Sequence, residues 1–361
     1  MIQRSDAVGV ATSGIGWGQG GPDLAHRSHF TTQERQGFAR RRIVLPIALF
    51  SALFAAYVGL VVLVLAVPTP LAVLMCVPCG IVIGMLFVVG HDAAHNSFTR
   101  SRRLNQVLGR VAFLPSLHAF SLWDLSHNRL HHRYNNIRGL DVAWEPMSPA
   151  DYQRSGWLRR AMYRLWRTPA GVASYYLIGH WAPRLLVPLP KVIGRVRLVY
   201  CLDSVLVLAA LALQLYCVIV LGGMFGKGAW ESVLVGVALP FLAWNAFISF
   251  VIFLHHTHPA IRWYPDEAAW RAQQGGLHGT VCVRFPFPFA SIALGIMEHN
   301  AHHAASDVPL YNLARMQRSL EERTGLVTWR FSLRGYARIC RRCKLYDYAA
   351  AKWVSFDGRA G

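Results

Sequence analysis

Four uninterrupted apolar runs, Ile43 to Val67, Leu71 to Gly90, Leu198 to Gly222 and Glu231 to Leu254, constrain this chain more than any other feature. Each has about the 20 residues that a helix needs to cross a hydrocarbon core. Composition agrees, since a hydrophobic content of 54% with a mean hydropathy of +0.30 is too apolar for an ordinary soluble globule. The chain reads as a polytopic membrane protein.

Charge orients the runs. The net charge of +19 is spread among the loops and forms no single stripe, so nucleic acid is not an expected partner. Arg40, Arg41 and Arg42 precede the first run, and Arg100, Arg102, Arg103 and Arg110 follow the second, whereas Pro68-Thr69-Pro70 between them is uncharged. Lys227 is the only basic residue between the third and fourth runs, and Arg334, Arg338, Arg341, Arg342 and Lys344 come after them. Basic loops stay cytosolic. The expected fold is therefore an all-α integral membrane protein with four transmembrane helices in two hairpins, both termini cytoplasmic, and a cytosolic helical cap.

Residues 1–39 are expected to be a flexible Gly- and Ser-rich tail with no signal peptide and with His26 and His29 solvated. Residues 40–330 form the membrane domain and 331–361 a basic C-terminal tail. The apolar pieces at 111–123 and 175–189 are too short or too interrupted to span, so interfacial or re-entrant segments are expected there. The piece at 281–297, with Arg284 and two prolines, is expected to lie along the membrane surface. Seven cysteines, an odd number placed mostly in apolar or cytosolic segments, argue against a disulfide framework, and neither Cys76-Val-Pro-Cys79 nor Cys340-Arg-Arg-Cys343 has a second CxxC beside it.

The chemistry sits in the histidines. Clusters at 91–95, 127–132, 255–258 and 299–303 hold 11 of the 16 histidines in 20 residues, where even scatter would leave about one. Neutral imidazole is the commonest metal ligand. His91 and His95 are spaced i, i+4, so a continuing helix puts them on one face. His127 and His131 repeat that spacing with His132 beside them, and His299, His302 and His303 share a face at i, i+3 and i+4. His255, His256 and His258 sit at the end of the fourth run, at the same membrane edge as His91 and His95. Taken singly, each cluster has a structural reading too: a helix-end pair, a hydrated basic helix beside Arg129 and Arg133, or histidines that cap a span. Charge bias, which uses no histidine, nonetheless places all four on the cytosolic side. Eleven imidazoles exceed one tetrahedral site and favour two metal ions, with Fe, Zn, Cu or Ni left open by the ligand chemistry. Asp124, Asp141 and Glu145 are candidate acceptors for fixing imidazole tautomers. Glu298 has no evident role, and His118, His180 and His278 read as structural or interfacial.

In order and spacing, His91-Asp92-Ala93-Ala94-His95, His127-Asn128-Arg129-Leu130-His131-His132 and His299-Asn300-Ala301-His302-His303 resemble the three histidine boxes of the membrane-bound fatty acid desaturase superfamily. The resemblance covers roughly residues 40 to 330. Phe253 to Pro259, followed by Trp263-Tyr264, Trp270, Leu277 and Gly279-Thr280, is similar to the segment before the third box in the omega-6 (Δ12) acyl-lipid branch, and Asp141 and Pro146 fit that branch as well. The first box lacks the extra histidine or glycine-histidine ending of many plant members, and no cytochrome b5 haem motif is fused to the chain.

The resemblance implies an O2-dependent enzyme with a histidine-ligated diiron centre. Two irons would be held by His91, His95, His127, His131, His132, His299, His302 and His303, with His256 as the ligand from near the last span and His258 as a further candidate. It also implies an acyl-lipid or acyl-carrier substrate, an electron donor such as ferredoxin or cytochrome b5, and a membrane location, here the bacterial inner membrane. An acyl-chain hydroxylase would use the same site. A histidine-rich metal transporter would instead line its spans with polar groups, and these spans offer little beyond Asp203, Gln214 and Asn245.

Overall fold

The computed structural model describes residues 30–273, 278–286 and 289–358. Of the flexible tail expected over 1–39, residues 1–29 with His26 and His29 lie outside the described residues, and the remainder is not a free tail, since Thr32–Phe38 is a helix. Four helices are long and apolar enough to cross a membrane: Val44–Ala66, Thr69–Ala94, Leu198–Met224 and Ala229–His256. Each overlays one of the four apolar runs. The second and fourth continue past their runs to Ala94 and His256, which carries His91, His255 and His256 into helix. Pro68 and Pro70 end the first helix and start the second, because proline has no N–H to offer a preceding turn but suits the first helical positions.

The second and fourth long helices are the inner pair. About half of each is buried, against 22% and 17% for the first and third. Gly80 lets the inner pair approach closely, since a Cβ there would fall 2.7 Å from Ala243 Cβ and 2.9 Å from the Trp244 backbone nitrogen. A π-turn at Leu234–Ala238 precedes Pro240 in the fourth helix and absorbs the hydrogen bond that proline cannot make. The first helix packs on the second, and the third makes fewer contacts with the rest.

Short helices form the layer over the histidine end. Helix Arg102–Phe113 packs along the second long helix, and Arg110 ties it to the third through Asp203 at 2.7 Å. Two small sheets qualify the all-α expectation. Cys282–Arg284 pairs in parallel with Thr328–Arg330, with Val283 opposite Trp329, and Leu345–Asp347 pairs antiparallel with Lys352–Val354. The segment at 281–297, expected on a membrane surface, buries Val281, Val283, Ala293 and Met297 in a core shared with Trp144, Phe253 and Trp263, so these four side chains serve protein packing instead.

The ends of the described chain are also folded. Helix Thr32–Phe38 starts with a capping box between Thr31 and Glu34, buries Phe38, and is held by Asn312, whose Nδ2 donates to the Phe38 carbonyl at 2.7 Å. At the other end, helix Leu333–Arg342 and the antiparallel strands dock on the cap. Tyr336 donates to the Pro169 carbonyl at 2.7 Å, and Trp353 Nε1 donates to the Ile261 carbonyl at 3.1 Å.

Candidate metal centre

The last turn of the second long helix delivers His91, and the helix stops at His95 because Asn96 turns the backbone to a φ of 56°. Asp92 fastens that end. Its carboxylate accepts from Ser97 Oγ at 2.8 Å and from the Leu310 backbone nitrogen at 3.1 Å.

The second cluster forms by a different helix geometry from the one its spacing suggests. Leu125–His131 is a π-helix, and the His132 N–H bonds the His127 carbonyl five residues back. The wider turn aligns His127 with His132, whose Nε2 atoms lie 3.0 Å apart, and sends His131 to the other side. The expected pairing of His127 and His131 on one α-helical face is therefore corrected. His131 Nδ1 donates to Asp141 Oδ1 at 2.7 Å, and that carboxylate also accepts from the backbone nitrogens of Asn136 at 2.7 Å and Ala143 at 2.9 Å. Such a bond fixes the tautomer and leaves Nε2 as the lone-pair donor. Asp124 and Glu145, the other two candidates, bond elsewhere: Asp124 to Asn128 and Arg129, Glu145 to the Gly139 N–H.

The third cluster lies on the short helix His299–Ala304, whose shared face is likewise divided between two groups. Three tethers place it. Asn300 Nδ2 donates to the Thr280 carbonyl at 2.8 Å, Ala301 N donates to Gln317 Oε1 at 2.8 Å, and Glu298 pairs with Arg284 at 2.8 Å, which in turn pairs with Glu321 at 2.8 Å. Glu298, without evident purpose in the sequence, thus anchors the helix at its first turn.

The nine histidines expected as ligands converge in two groups. His91, His95, His127, His132 and His302 form one, and His131, His256, His299 and His303 the other, with the ring nitrogens of each within 4.8 Å of one another. The groups adjoin, for His132 of the first and His303 of the second stack 4.3 Å apart at 14°. Among the described residues His258 belongs to neither. Its Nδ1 accepts from the Ala260 N–H at 3.2 Å, and its ring lies beside Trp329. His255 stacks on His299 at 3.9 Å without joining the group.

These contacts fit cations. His132 Nε2 lies 3.0 Å from both His127 Nε2 and His302 Nε2, and His299 Nε2 lies 3.0 Å from His256 Nε2 and 3.1 Å from His303 Nε2. A neutral ring nitrogen carries at most one proton, so hydrogen bonds cannot satisfy three such atoms meeting at one point. Two nitrogens each ~2.1 Å from a common ion and at right angles are ~3.0 Å apart, the separation seen here. His91 Nε2 and His95 Nε2 are also buried without a hydrogen-bond partner. Burial, reinforced by the neighbouring imidazoles, holds His95, His127, His132, His299, His302 and His303 well below the usual histidine range, so these rings stay neutral and ready to ligate.

A narrow, mainly apolar cavity of about 70 Å³ opens on both groups. His91, His127, His131, His256 and His299 line one end. It runs between the inner helices toward Gly84, Trp244 and Phe247, and Gly84 lies seven residues before His91, about 10 Å along the helix axis. Tyr176 and His180 form part of its wall. His118, read as structural, braces Tyr176: its Nδ1 lies 2.6 Å from the Ser116 carbonyl and its Nε2 2.8 Å from Tyr176 Oη, and burial pushes its pKa down to about 3. Trp123 stacks on His127 at 4.3 Å. Sequence reasoning passed over Trp123, although its spacing four residues before His127 was a usable signal. Tyr176 and Trp244 carried none.

Four membrane-length helices, two of which end at adjoining imidazole groups that could each hold a metal ion, are the architecture of a membrane metalloprotein. The chain belongs to the fatty acid desaturase family, whose pattern matches residues 68–332. It is 32% identical over 263 residues to an sn-1 oleoyl-lipid 12-desaturase of Synechocystis sp., covering 72% of each chain, and 29% identical over 310 residues to one of Picosynechococcus sp., covering 84% of each. It is also 29% identical over 285 residues to a chloroplastic omega-6 fatty acid desaturase of Brassica napus, covering 77% of this chain and 60% of that one. The chain thus spans about 60% of the length of the plant relative.

Proposed function

We propose that this protein is an O2-dependent acyl-lipid desaturase of the Δ12 kind, with two irons held by the five-histidine and four-histidine groups. The observation that carries the reading is the mainly apolar cavity lined by histidines of both imidazole groups and by Gly84, Phe87, Trp244 and Phe247 of the two inner helices. In the balanced reaction a –CH2–CH2– unit loses two hydrogens, O2 and two electrons and two protons are consumed, and two waters form. Two irons held there would supply the oxidant that an unactivated C–H bond requires.

The protein's own part is placement. Trp244, Phe247 and Tyr176 confine the chain, the His118 brace keeps Tyr176 upright, and Asp141 fixes the His131 tautomer. The tethers from Glu298, Asn300 and Gln317 hold three ligands on one short helix. Burial of the site excludes water from the reacting carbon. We further propose two transmembrane hairpins with both termini cytoplasmic in a bacterial inner membrane, a membrane domain over 40–330, and an acidic one-electron carrier such as ferredoxin or cytochrome b5 drawn to the basic cytosolic face.

Expression in a host that lacks the activity, followed by fatty-acid profiling with and without O2, tests the reading. A new double bond that requires O2 is expected. A hydroxylated chain with no double bond would make the protein an oxygenase of the same family, and an oxygen-independent product would overturn the mechanism. His302→Ala is expected to abolish product while the protein stays in the membrane, and full retained activity would remove His302 from the ligand set.

A further inference from the structure

From residue 152 to residue 202 the chain has no Asp or Glu in 51 residues but nine Lys and Arg. Within that stretch, helix Trp157–Trp166 is two-sided in an unusual direction. Trp157, Leu158, Ala161 and Leu165 share one face at helical spacing, and that face is open: Trp157 is 75% exposed, Leu158 56% and Leu165 51%. Arg159 and Arg160 flank it and are exposed too.

The helix cannot roll to hide this face. Tyr163, its buried residue, donates to the Lys344 carbonyl at 2.6 Å and accepts from the Met147 N–H at 3.1 Å. The apolar exposure also continues along the chain through Ile178, Val187 and Leu189 to Leu198, 74% exposed, where the sparsely buried third long helix begins. Exposed Lys191 and Arg195 accompany it. Exposed apolar residues beside cations that have no ion pair among the described residues, continuous with a membrane-length helix, match the chemistry of a lipid interface and not of a soluble acidic partner, which would leave Trp157 and Leu165 in water.

We propose that helix Trp157–Trp166 is a surface anchor seated in the headgroup layer of an anionic leaflet, with Trp157, Leu158 and Leu165 among the acyl chains and Arg159 and Arg160 against lipid phosphate. This rests on the membrane placement of the four long helices and not on the reaction catalysed. The anchor adjoins the cavity wall. Trp166 lies against Tyr175, ring centroids 5.2 Å apart, and so close to Gly179 that a Cβ there would fall 3.3 Å from its ring; Tyr176 and His180 on the same stretch line the cavity. Seating the helix in lipid therefore registers the cavity wall against the leaflet.

Photolabelling of the full-length protein tests this independently of turnover. The protein is reconstituted in phosphatidylcholine vesicles with or without one-third phosphatidylglycerol, each carrying a trace of phospholipid with a diazirine on its acyl chain, and labelled peptides are mapped by mass spectrometry. The peptide spanning 157–166 is expected to be labelled, several-fold more strongly with phosphatidylglycerol. R159Q/R160Q is expected to reduce labelling to the level of neutral vesicles, and L158E/L165E to abolish it, while labelling of the four long helices, the control for folding and insertion, persists in both. Labelling confined to the long helices would overturn the proposal. Equal labelling in the two kinds of vesicle would overturn the anionic assignment, and protection of the peptide by a second copy or by a soluble acidic protein would assign the face to that partner instead.

Discussion

Asp141 shows how much of the site depends on residues that are not ligands. Its carboxylate, fixed by two backbone N–H groups, accepts from His131 and sets which nitrogen that ring presents. Asp141→Asn removes the charge and leaves an amide that can turn its NH2 toward the ring. Partners of ligating histidines typically contribute 10–100-fold to metal affinity, so a loss of that order is expected, measured by chelator competition on purified protein. Unchanged affinity would show that His131 is oriented by packing alone. At this scale the sequence was most informative about which histidines come together, because clustering and type carry that signal. It was silent on their division into groups: His131 and His132 are neighbours in the chain yet belong to different cages. Spacing counted in α-helical turns misassigns both.

Elements explain that misreading and hold the cages at the right distance. A π-turn inserts one extra residue per turn without an obvious sequence mark, so the stretch from Leu125 to His131 reads as an ordinary helix until its hydrogen bonds are seen. The four long helices, by contrast, were legible to within a few residues, since each needs only continuous apolarity. The contact between two of them makes a test. Gly80→Leu would force a side chain into the space held by Ala243 and the Trp244 backbone, and overpacking of this kind costs about 1–3 kcal/mol. The expected result is a lower thermal midpoint with partial loss of metal, since the same helices carry His91 and His256 to the site. The short helix of the third cluster gives a milder test. Glu298→Ala removes one arm of a partly buried Glu298–Arg284–Glu321 network, about 1 kcal/mol after screening. Metal analysis is expected to show substoichiometric loading, with loading restored in Glu298→Asp if reach to Arg284 is kept. Full loading in Glu298→Ala would reduce Glu298 to a surface role.

At the scale of the whole molecule, the two cages join distant parts of the fold: the ends of two long helices, the π-turn of the cap and the short helix His299–Ala304, braced by Gln317 and by Arg284 with Glu321. Neither hydropathy nor motif spacing shows this closure, which depends on which elements pack together. It has a consequence for pH. Six cage histidines outside the spans are held well below their ordinary range by burial, so the folded state keeps them neutral while the unfolded chain takes up protons near pH ~6.5. The unfolded state then binds more protons as pH falls, and the stability present above about 6.5 is lost below it, by up to ~1.4 kcal/mol per pH unit for each histidine. Asp124 and Glu145, the latter pushed up to about 7 by burial, oppose this, because the folded state favours their protonated forms. Two groups act against six, so the net slope remains that of the histidines. Metal binding has the same sign, since protons compete for the same lone pairs. Thermal unfolding of the metal-loaded protein in detergent is therefore expected to show a midpoint that is flat above about pH 7 and falls steeply below about 6. A chelator should lower the midpoint strongly in the first range and little in the second, where protons have already displaced the metal. A midpoint that stays level through acid, or a chelator effect that grows as pH falls, would mean that the cages neither bind metal nor hold these elements together.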